Sequence, residues 1–126
     1  PLSYERMNEG LQYFQMNGKL VYASATKVLP KAINQVLEDT GLSIDDVDLM
    51  IPHQPSIRIL QKTAELIGLP FYKVMHNMEK YANTSGATIP ILLDECNRNG
   101  KIKKGDIILF AAVGSGWTYG ASIIKW

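Results

Sequence analysis

Ile51-Pro52-His53-Gln54-Pro55 decides the fold, because an apolar run ends there and a helical pattern begins. A second stretch, Tyr81-Ala82-Asn83-Thr84-Ser85-Gly86, stands in the same relation to the segments around it. Each stretch places one polar side chain, His53 or Asn83, where a predicted strand is followed by a helix. In α/β folds, ligands bind at the carboxyl ends of strands. We therefore expect His53 and Asn83 to donate hydrogen bonds to one substrate oxygen.

The composition is that of a globular domain. The chain has 126 residues, of which 46% are hydrophobic and 20% charged, as expected for one domain. A net charge of +1 gives no electrostatic case for nucleic acid or an anionic membrane. The longest apolar run, Ile107 to Val113, is far shorter than the roughly 20 residues of a membrane helix. A single cysteine excludes an internal disulfide framework and fits a reducing compartment, so we expect a cytoplasmic protein.

The beginning of the chain is atypical. It starts at Pro1 rather than Met, no signal peptide opens it, and the polar stretch Ser3 to Gly10 has no clear period. We expect residues 1–126 to form a single domain excised from something longer.

Five strands and three helices are predicted from the periodicity of apolar residues. The strands are Leu11–Met16, Val47–Ile51, Tyr72–Met78, Ile107–Val113 and Tyr119–Lys125. The helices run from Lys19 to Asp39, from Pro55 to Ile67 and from about Ser85 to Asn99, and Ser43–Asp46 forms a turn or one helical turn.

Prolines and glycines refine these helices. Pro30 predicts a kink or a break into two helices, and Pro55 suits a first helical turn. Gly41 is placed to end the first helix in the left-handed conformation. Three alternating strand–helix units predict an α/β fold with a mixed, mostly parallel sheet and covering helices. The last two strands are joined by a tight turn and must form an antiparallel pair.

The chemistry of the two loop residues leaves alternatives open. His53 could simply end a strand, but the helix that follows disfavours a positive charge nearby. A neutral imidazole donates one N–H and can polarise a carbonyl. Asn83 cannot act as an acid or base, and it could instead cap a helix or shape a turn.

Other candidate groups are weaker. Cys96 lies on the apolar face of the third helix, late in that helix, and is predicted to be a small buried hydrophobe. His76 has no partner at metal-ligand spacing. The Gly114–Gly120 stretch is followed by a strand, which excludes a dinucleotide loop. It is either a plain hairpin turn or a turn whose N–H groups help to form an oxyanion hole. Arg58 and Lys62 share one helix face, either for an acidic partner or simply for solvent.

Taken together, these stretches resemble the β-ketoacyl-acyl carrier protein synthase III group of condensing enzymes. Ile51–Ile59 resembles the PHQAN-x-R motif of that group, and Tyr81–Pro90 resembles its GNTSAASIP motif. Lys101–Asp106 and Gly114–Gly120 resemble its IKxGD and GGGxTWG stretches. The resemblance covers roughly Met16 to Trp126, with all four motifs in the expected order and spacing.

The resemblance implies the C-terminal half of a thiolase-like fold and a Cys-His-Asn triad. Its histidine falls at His53 and its asparagine at Asn83. The nucleophilic cysteine belongs to the first half of the family's chain, and Cys96 does not match its position. These residues alone are therefore expected to be inactive.

Further roles follow from the same resemblance. A backbone N–H at Ser115 would hold the oxyanion, and Gly114 and Gly116 on either side would bind substrate. Ser56 stands where the family has an asparagine in the substrate region, which suggests a different substrate preference. Arg58 matches an arginine near the acidic carrier protein, and Lys62 would accompany it.

The implied function is decarboxylative Claisen condensation of a malonyl-thioester with an acyl-enzyme in fatty acid biosynthesis, without a cofactor. The implied partners are acyl carrier protein, acyl-CoA or malonyl-thioester substrates, and a second copy in a homodimer. Two alternatives remain. One is a related acyltransferase of secondary metabolism that does not decarboxylate, and the other is a non-catalytic acyl-carrier-binding domain.

Overall fold

The computed structural model describes residues 3–13 and 15–126. Its main elements are helices and the strands of one sheet, which do not alternate strictly along the chain. In chain order they are α1 (Tyr4–Asn8), α2 (Gly18–Thr40), β1 (Leu49–Pro52), α3 (Ile57–Ile67), α4 (Met78–Tyr81), α5 (Thr88–Arg98), β2 (Ile107–Gly114) and β3 (Thr118–Lys125). Short 3-10 helices occupy Ile44–Asp46, Phe71–Lys73 and Ser85–Ala87.

The sheet has three strands in the order β1-β2-β3. β1 runs parallel to β2, with Pro52 opposite Ala111 at the end of the pairing. β2 and β3 are antiparallel, from Ile107 opposite Lys125 to Gly114 opposite Thr118. The α/β class and the final antiparallel pair are confirmed, whereas one parallel pair and one antiparallel pair make the sheet mixed rather than mostly parallel.

Helices cover both faces of this sheet. One apolar cluster joins α2 and α3 to Met50, Leu109 and Val113. A second cluster joins α5, through Leu92 and Cys96, to the opposite face of β1 and β2. Because successive side chains of a strand point to opposite faces, a β2 strand built mainly of apolar residues can serve both clusters.

Helix α2 is continuous across Pro30, so of the two predicted outcomes, a kink or a break, the break does not occur. A proline inside a helix removes one backbone hydrogen bond. The core face of α2 continues on both sides of it, with Ala25 and Leu29 buried before Pro30 and Ile33 and Leu37 buried after it. This packing holds the helix together. At its end, Gly41 adopts the predicted left-handed conformation, with φ 69°.

Helix α3 begins later than predicted. Its N-cap is Ser56, whose side chain accepts a hydrogen bond from the backbone N–H of Ile59 at 3.2 Å. Pro55 therefore precedes the cap and is not in the first helical turn. The helix ends at Gly68, which has φ 75°.

Two predicted strands do not form. The first was Leu11–Met16, of which Phe14 lies outside the described residues. Leu11–Tyr13 form turns and Gln15–Met16 are irregular, and none of these residues pairs with the described sheet. Alternation of apolar residues is not enough for a strand to form where no strand of the described residues lies beside it as a partner.

The second is Tyr72–Met78, which forms one isolated parallel bridge, between Val74 and Met50. A 3-10 turn over Phe71–Lys73 precedes the bridge and α4 follows it. The ladder stops after one bridge because the side chain of Gln54 takes the N–H of Asn77.

Candidate active site

His53 lies at the carboxyl end of β1, directly after the last paired residue. Its backbone N–H donates to the carbonyl of Ala111 at 2.8 Å, which continues the pairing with β2 by one bond. The residues on either side, Pro52 and Gln54, are buried, and the histidine is half-buried. The parallel strand therefore fixes where this side chain leaves the sheet.

The ring of His53 is held by a residue of α5. Its Nδ1 lies 2.7 Å from Oγ1 of Thr88, the first residue of α5. The same hydroxyl donates to the carbonyl of Ser85 at 3.0 Å. Among the described residues, Thr88 is the one side chain that hydrogen-bonds to the ring, and it does so at Nδ1. No side chain of those residues occupies Nε2.

Burial lowers the pKa of His53 below its ordinary value of 6.5, and a hydrogen bond to the backbone of Ser85 opposes this in part. The neutral form is therefore favoured near neutral pH. The direction of the pKa shift agrees with the sequence-based expectation, but its leading cause is burial rather than the N-terminus of α3.

Asn83 projects from the loop between α4 and α5 and is exposed. Its Oδ1 accepts a hydrogen bond from the backbone N–H of Ser85 at 2.9 Å, a local turn typical of asparagine. This bond fixes the orientation of the amide, so that Nδ2, with two N–H donors, is free to face a ligand. Asn83 does not cap α5, whose cap position is Ala87.

The loop around Asn83 is held in an uncommon backbone conformation. Ala82 and Ser85 have positive φ angles of 54° and 55°, which residues other than glycine adopt rarely. Such conformations persist where the surroundings determine them, and they cluster at functional sites. Here Ser85 is the residue that contacts both Asn83 and Thr88.

The two loops of the sequence motifs are thus joined by one chain of hydrogen bonds. It runs from His53 through Thr88 to Ser85 and from there to Asn83. Thr88 is 3% exposed, so water does not compete for the central link.

A second cluster of polar side chains connects the segments that carry these two loops. Gln54 is fully buried, donates to the carbonyls of Pro52 and Met75, and accepts from the N–H of Asn77. The side chain of Asn77 donates to Glu95 of α5 at 2.8 Å. Lys80 pairs with the same carboxylate. These contacts tie the end of β1 to the α4 segment that precedes Asn83.

The Gly114–Gly120 stretch forms the hairpin between β2 and β3. Gly114 pairs with Thr118, and Ser115, Gly116 and Trp117 form the exposed loop. β2 ends three residues beyond Ala111, the backbone partner of His53. Because parallel strands end at the same edge of a sheet, the hairpin and His53 lie at the same edge.

The remaining predicted site residues lie on α3. Ser56 uses its hydroxyl as the N-cap. Lys62 pairs with Glu65 at 2.6 Å on the exposed side of the helix. Arg58 is exposed and forms no ion pair with the described residues.

Cys96 belongs to the second core cluster and is 2% exposed. Burial is the main cause that raises the pKa of its thiol, which disfavours the reactive thiolate. Within residues 3–13 and 15–126, no group of three or more His, Cys, Asp or Glu side chains could hold a metal ion. No helix in the same ranges is long and apolar enough to cross a membrane.

Sequence reasoning missed Thr88 and Gln54 as parts of this site. Both lie inside the quoted motifs, Gln54 one position after His53 and Thr88 five positions after Asn83. For Thr88, a polar residue between Ala87 and Ile89 was the available signal, but each of the two side chains has a partner in a distant segment.

Comparison with known proteins identifies the family. The sequence profile of the family described as 3-oxoacyl-[acyl-carrier-protein (ACP)] synthase III C terminal matches residues 37–126. A β-ketoacyl-[acyl-carrier-protein] synthase III of Caldanaerobacter subterraneus is 44% identical over 126 residues, which are all of this chain and 38% of that protein. The corresponding protein of Clostridium acetobutylicum is 43% identical over 111 residues, which are 88% of this chain and 34% of the relative. The chain thus spans little more than a third of the length of these relatives.

Solved structures agree. The crystal structure of 3-oxoacyl-[acyl-carrier-protein] synthase III from Aquifex aeolicus superimposes with a TM-score of 0.88 at 40% identity, over 90% of this chain and 37% of that one. The Pseudomonas aeruginosa structure gives a TM-score of 0.88 at 32% identity, over 90% and 36%. The expected thiolase-like half-fold is confirmed. The chain belongs to the 3-oxoacyl-[acyl-carrier-protein] synthase III family and corresponds to the C-terminal part of its members.

Proposed function

We propose that this chain supplies the histidine and asparagine of a condensing enzyme that extends an acyl group with a malonyl-thioester in fatty acid biosynthesis. The observation that carries the proposal is the hydrogen-bond chain from His53 through Thr88 and Ser85 to Asn83. It couples two loops distant in sequence and leaves one nitrogen of each side chain, Nε2 and Nδ2, for a common ligand.

The reaction follows from those two groups. When the malonyl-thioester loses carbon dioxide, the electrons of the broken C–C bond form an enolate, and negative charge develops on the thioester oxygen. Asn83 donates to that oxygen through Nδ2, and His53 approaches it through Nε2. Donors placed where charge develops stabilise the transition state more than the ground state.

The carbon–carbon bond then forms. The enolate carbon attacks the acyl group held as a thioester, and the carbonyl electrons move to oxygen. We propose that the backbone N–H of Ser115, between Gly114 and Gly116, holds this oxyanion. As the carbonyl re-forms, the sulfur that carried the acyl group leaves with its electron pair. We assign that sulfur to a cysteine outside residues 1–126, because Cys96, the single cysteine of this sequence, is buried in the apolar cluster of α5.

Arg58 supports a proposal about the carrier. Its side chain is exposed on α3, and among the described residues it forms no ion pair, whereas Lys62 is already paired with Glu65. An acidic acyl carrier protein would meet Arg58 first. The further proposals are acyl-CoA or malonyl-thioester substrates, a homodimer and a cytoplasmic location.

The test is decarboxylation of malonyl-carrier by the full natural polypeptide that contains these residues. Asn83→Ala and His53→Ala should each lower kcat about 100-fold, as expected for the loss of one group that stabilises an oxyanion. Asn97→Ala, an exposed asparagine of α5, is the matched control and should leave the rate unchanged. The proposal fails if both site variants keep the parent rate.

The donor used decides between the leading proposal and its alternatives. If the enzyme turns over a simple acyl donor but not malonyl-carrier, it transfers acyl groups without decarboxylation. Carrier binding without turnover of either donor indicates a binding domain. Arg58→Glu should raise KM for the malonyl-carrier and leave KM for malonyl-CoA unchanged.

A further inference from the structure

Pro52 interrupts the pairing between β1 and the segment around Val74. The backbone N–H of Met75 donates to the carbonyl of Met50 at 2.8 Å, as in a parallel ladder. The next two bonds of such a ladder would join the N–H of residue 52 to the carbonyl of Met75, and the N–H of Asn77 to the carbonyl of Pro52. Because proline has no backbone N–H, the first of these two bonds cannot form.

The side-chain amide of Gln54 contacts all three backbone groups that would have made those two bonds. Its Nε2 donates to the carbonyl of Pro52 at 3.0 Å and to the carbonyl of Met75 at 3.4 Å. Its Oε1 accepts from the N–H of Asn77 at 3.3 Å. Gln54 is fully buried, and buried backbone groups without a partner are costly. One side-chain amide therefore replaces the backbone bonds that Pro52 interrupts.

This replacement also sets a distance between two segments. The amide of Gln54 lies between the carbonyl of Pro52 and the N–H of Asn77. The two backbones are therefore further apart here than a direct hydrogen bond would hold them. The separation begins at the carboxyl end of β1, directly beside His53.

The contact with Asn77 reaches Asn83 through α4. The carbonyl of Asn77 accepts from the N–H of Tyr81 at 3.1 Å, and the carbonyl of Met78 accepts from the N–H of Ala82 at 2.9 Å. Asn83 is the next residue. A helix of four residues is not stable by itself, so the position of α4 depends on the contacts that hold its beginning.

Two separate contacts hold Asn77 at that beginning. Gln54 binds its backbone N–H, and Glu95 of α5 accepts from its Nδ2 at 2.8 Å. The residue is 4% exposed, so water does not compete for these bonds. At the other side of the loop, Asn83 is bonded to Ser85. The loop of Asn83 is therefore anchored both before and after the residue.

We propose that Gln54 is a positioning residue that sets the separation between His53 and Asn83, acting through Asn77 and α4. The inference rests on the proposed function, because it treats His53 and Asn83 as groups that meet one ligand. His53 is held to β2 by its backbone, so movement of α4 changes the distance between the two side chains.

Amide hydrogen exchange in the full natural polypeptide tests the proposal without any substrate. Gln54→Met keeps a long, unbranched side chain that has no donor. Exchange at Tyr81 and Ala82 should become at least about tenfold faster relative to the slowest amides of α2, because α4 loses its anchor. Gln61→Met, the same substitution at an exposed glutamine of α3, is the control and should leave these rates unchanged. Wild-type exchange at Tyr81 and Ala82 in Gln54→Met would overturn the proposal.

A double substitution shows whether Gln54 acts through Asn83. Gln54→Met should lower kcat for malonyl-carrier decarboxylation at least about tenfold, because a displacement of about 1 Å can lower a rate about 100-fold. In the Asn83→Ala background the same change should lower kcat less than about twofold, because the positioned amide is already absent. An equal loss in both backgrounds would indicate a merely structural role and overturn the proposal.

A second variant decides the question if Gln54→Met does not fold. Gln54→Glu retains an acceptor for Asn77. Its ionised form cannot donate to the carbonyls of Pro52 and Met75, whereas its protonated form can donate to one of them. Burial raises the pKa of a carboxyl, so the decarboxylation rate relative to the wild type should rise as the pH falls from about 8 to about 6. A wild-type rate at both pH values would overturn the proposal.

The two proposals fail separately in these measurements. If Asn83→Ala keeps the parent rate of decarboxylation, the proposed function fails, and hydrogen exchange still shows whether Gln54 holds α4. If Asn83→Ala lowers the rate but Gln54→Met leaves the exchange of Tyr81 and Ala82 unchanged, the proposed function stands and the positioning role of Gln54 is refuted.

Discussion

At the scale of single residues, contacts with two different elements determine the position and the orientation of His53. Its backbone N–H donates to the carbonyl of Ala111 and extends the β1–β2 pairing. Its ring is hydrogen-bonded to Thr88 at the start of α5, and Thr88 in turn is bonded to Ser85. The strand sets the position of the side chain and the helix sets its orientation. A histidine held in both ways loses little conformational entropy when a ligand binds.

Local sequence could predict only the first of these two contacts. An apolar run that ends in a histidine indicates a strand end, and that prediction is met by β1. The contact with Thr88 spans 35 residues, and no local pattern encodes a distance between segments so far apart. For the same reason, no local pattern predicts that the side chain of Gln54 joins the end of β1 to Asn77.

Acid should destabilise the chain through His53. The folded-state pKa of His53 lies below its ordinary value of 6.5, so the unfolded chain binds a proton more readily than the folded chain. The stability that neutral His53 provides is therefore complete above pH 6.5 and is lost as the pH falls toward the folded-state pKa. Urea unfolding measured across this window should show a steeper loss for the wild type than for His53→Gln. Equal slopes would contradict burial as the cause of the shift.

At the scale of elements, the helices follow from the sequence more directly than the strands do. Apolar periodicity and terminal glycines locate α2 and α3 to within a few residues. Tyr72–Met78 has the apolar character of a strand but forms one bridge with Met50. A strand needs a partner along its whole length, and side-chain hydrogen bonds from Gln54 replace the ladder here. Tertiary contacts of this kind override local propensity.

Helix α3 depends on its N-cap. Ser56 accepts from the N–H of Ile59 at 3.2 Å, so Ser56→Ala should lower the free energy of unfolding by about 1 kcal/mol. Asparagine caps helices as well as serine does, and Ser56→Asn should therefore remain within a few tenths of a kcal/mol of the wild type. Urea unfolding of the three proteins measures both differences.

Equal losses for Ser56→Ala and Ser56→Asn would show that the site requires serine for a reason other than capping. Substrate preference is a separate matter. If Ser56 also contacts substrate, as the family resemblance suggests, Ser56→Asn should alter KM for acyl donors while leaving stability intact.

At the scale of the whole molecule, β1 and β2 are shared by two apolar clusters. Leu109 points toward α2 and α3, whereas its neighbour Ile108 points toward α5. Both side chains are fully buried. The site lies at the carboxyl edge of this shared sheet, so its geometry depends on both layers of helices. The periodicity predicted the covering helices, but not that among the described residues only three strands would pair in the sheet.

Because both apolar clusters share the sheet, a substitution on one face of the sheet should also destabilise the helix that packs on the other face. Ile108→Ala removes apolar contacts beside α5 and should lower the free energy of unfolding by about 2 to 5 kcal/mol. Hydrogen exchange should then increase not only in α5 but also in α2, which packs on the opposite face and has no contact with Ile108 within its cluster. Leu109→Ala should give the reciprocal result, with faster exchange in α5. Ile124→Ala, on the exposed strand β3, is the control and should cost about 1 kcal/mol or less. If exchange in α2 stayed at the wild-type rate in Ile108→Ala, the two layers would be independent units, and the site at their common edge could not rely on both.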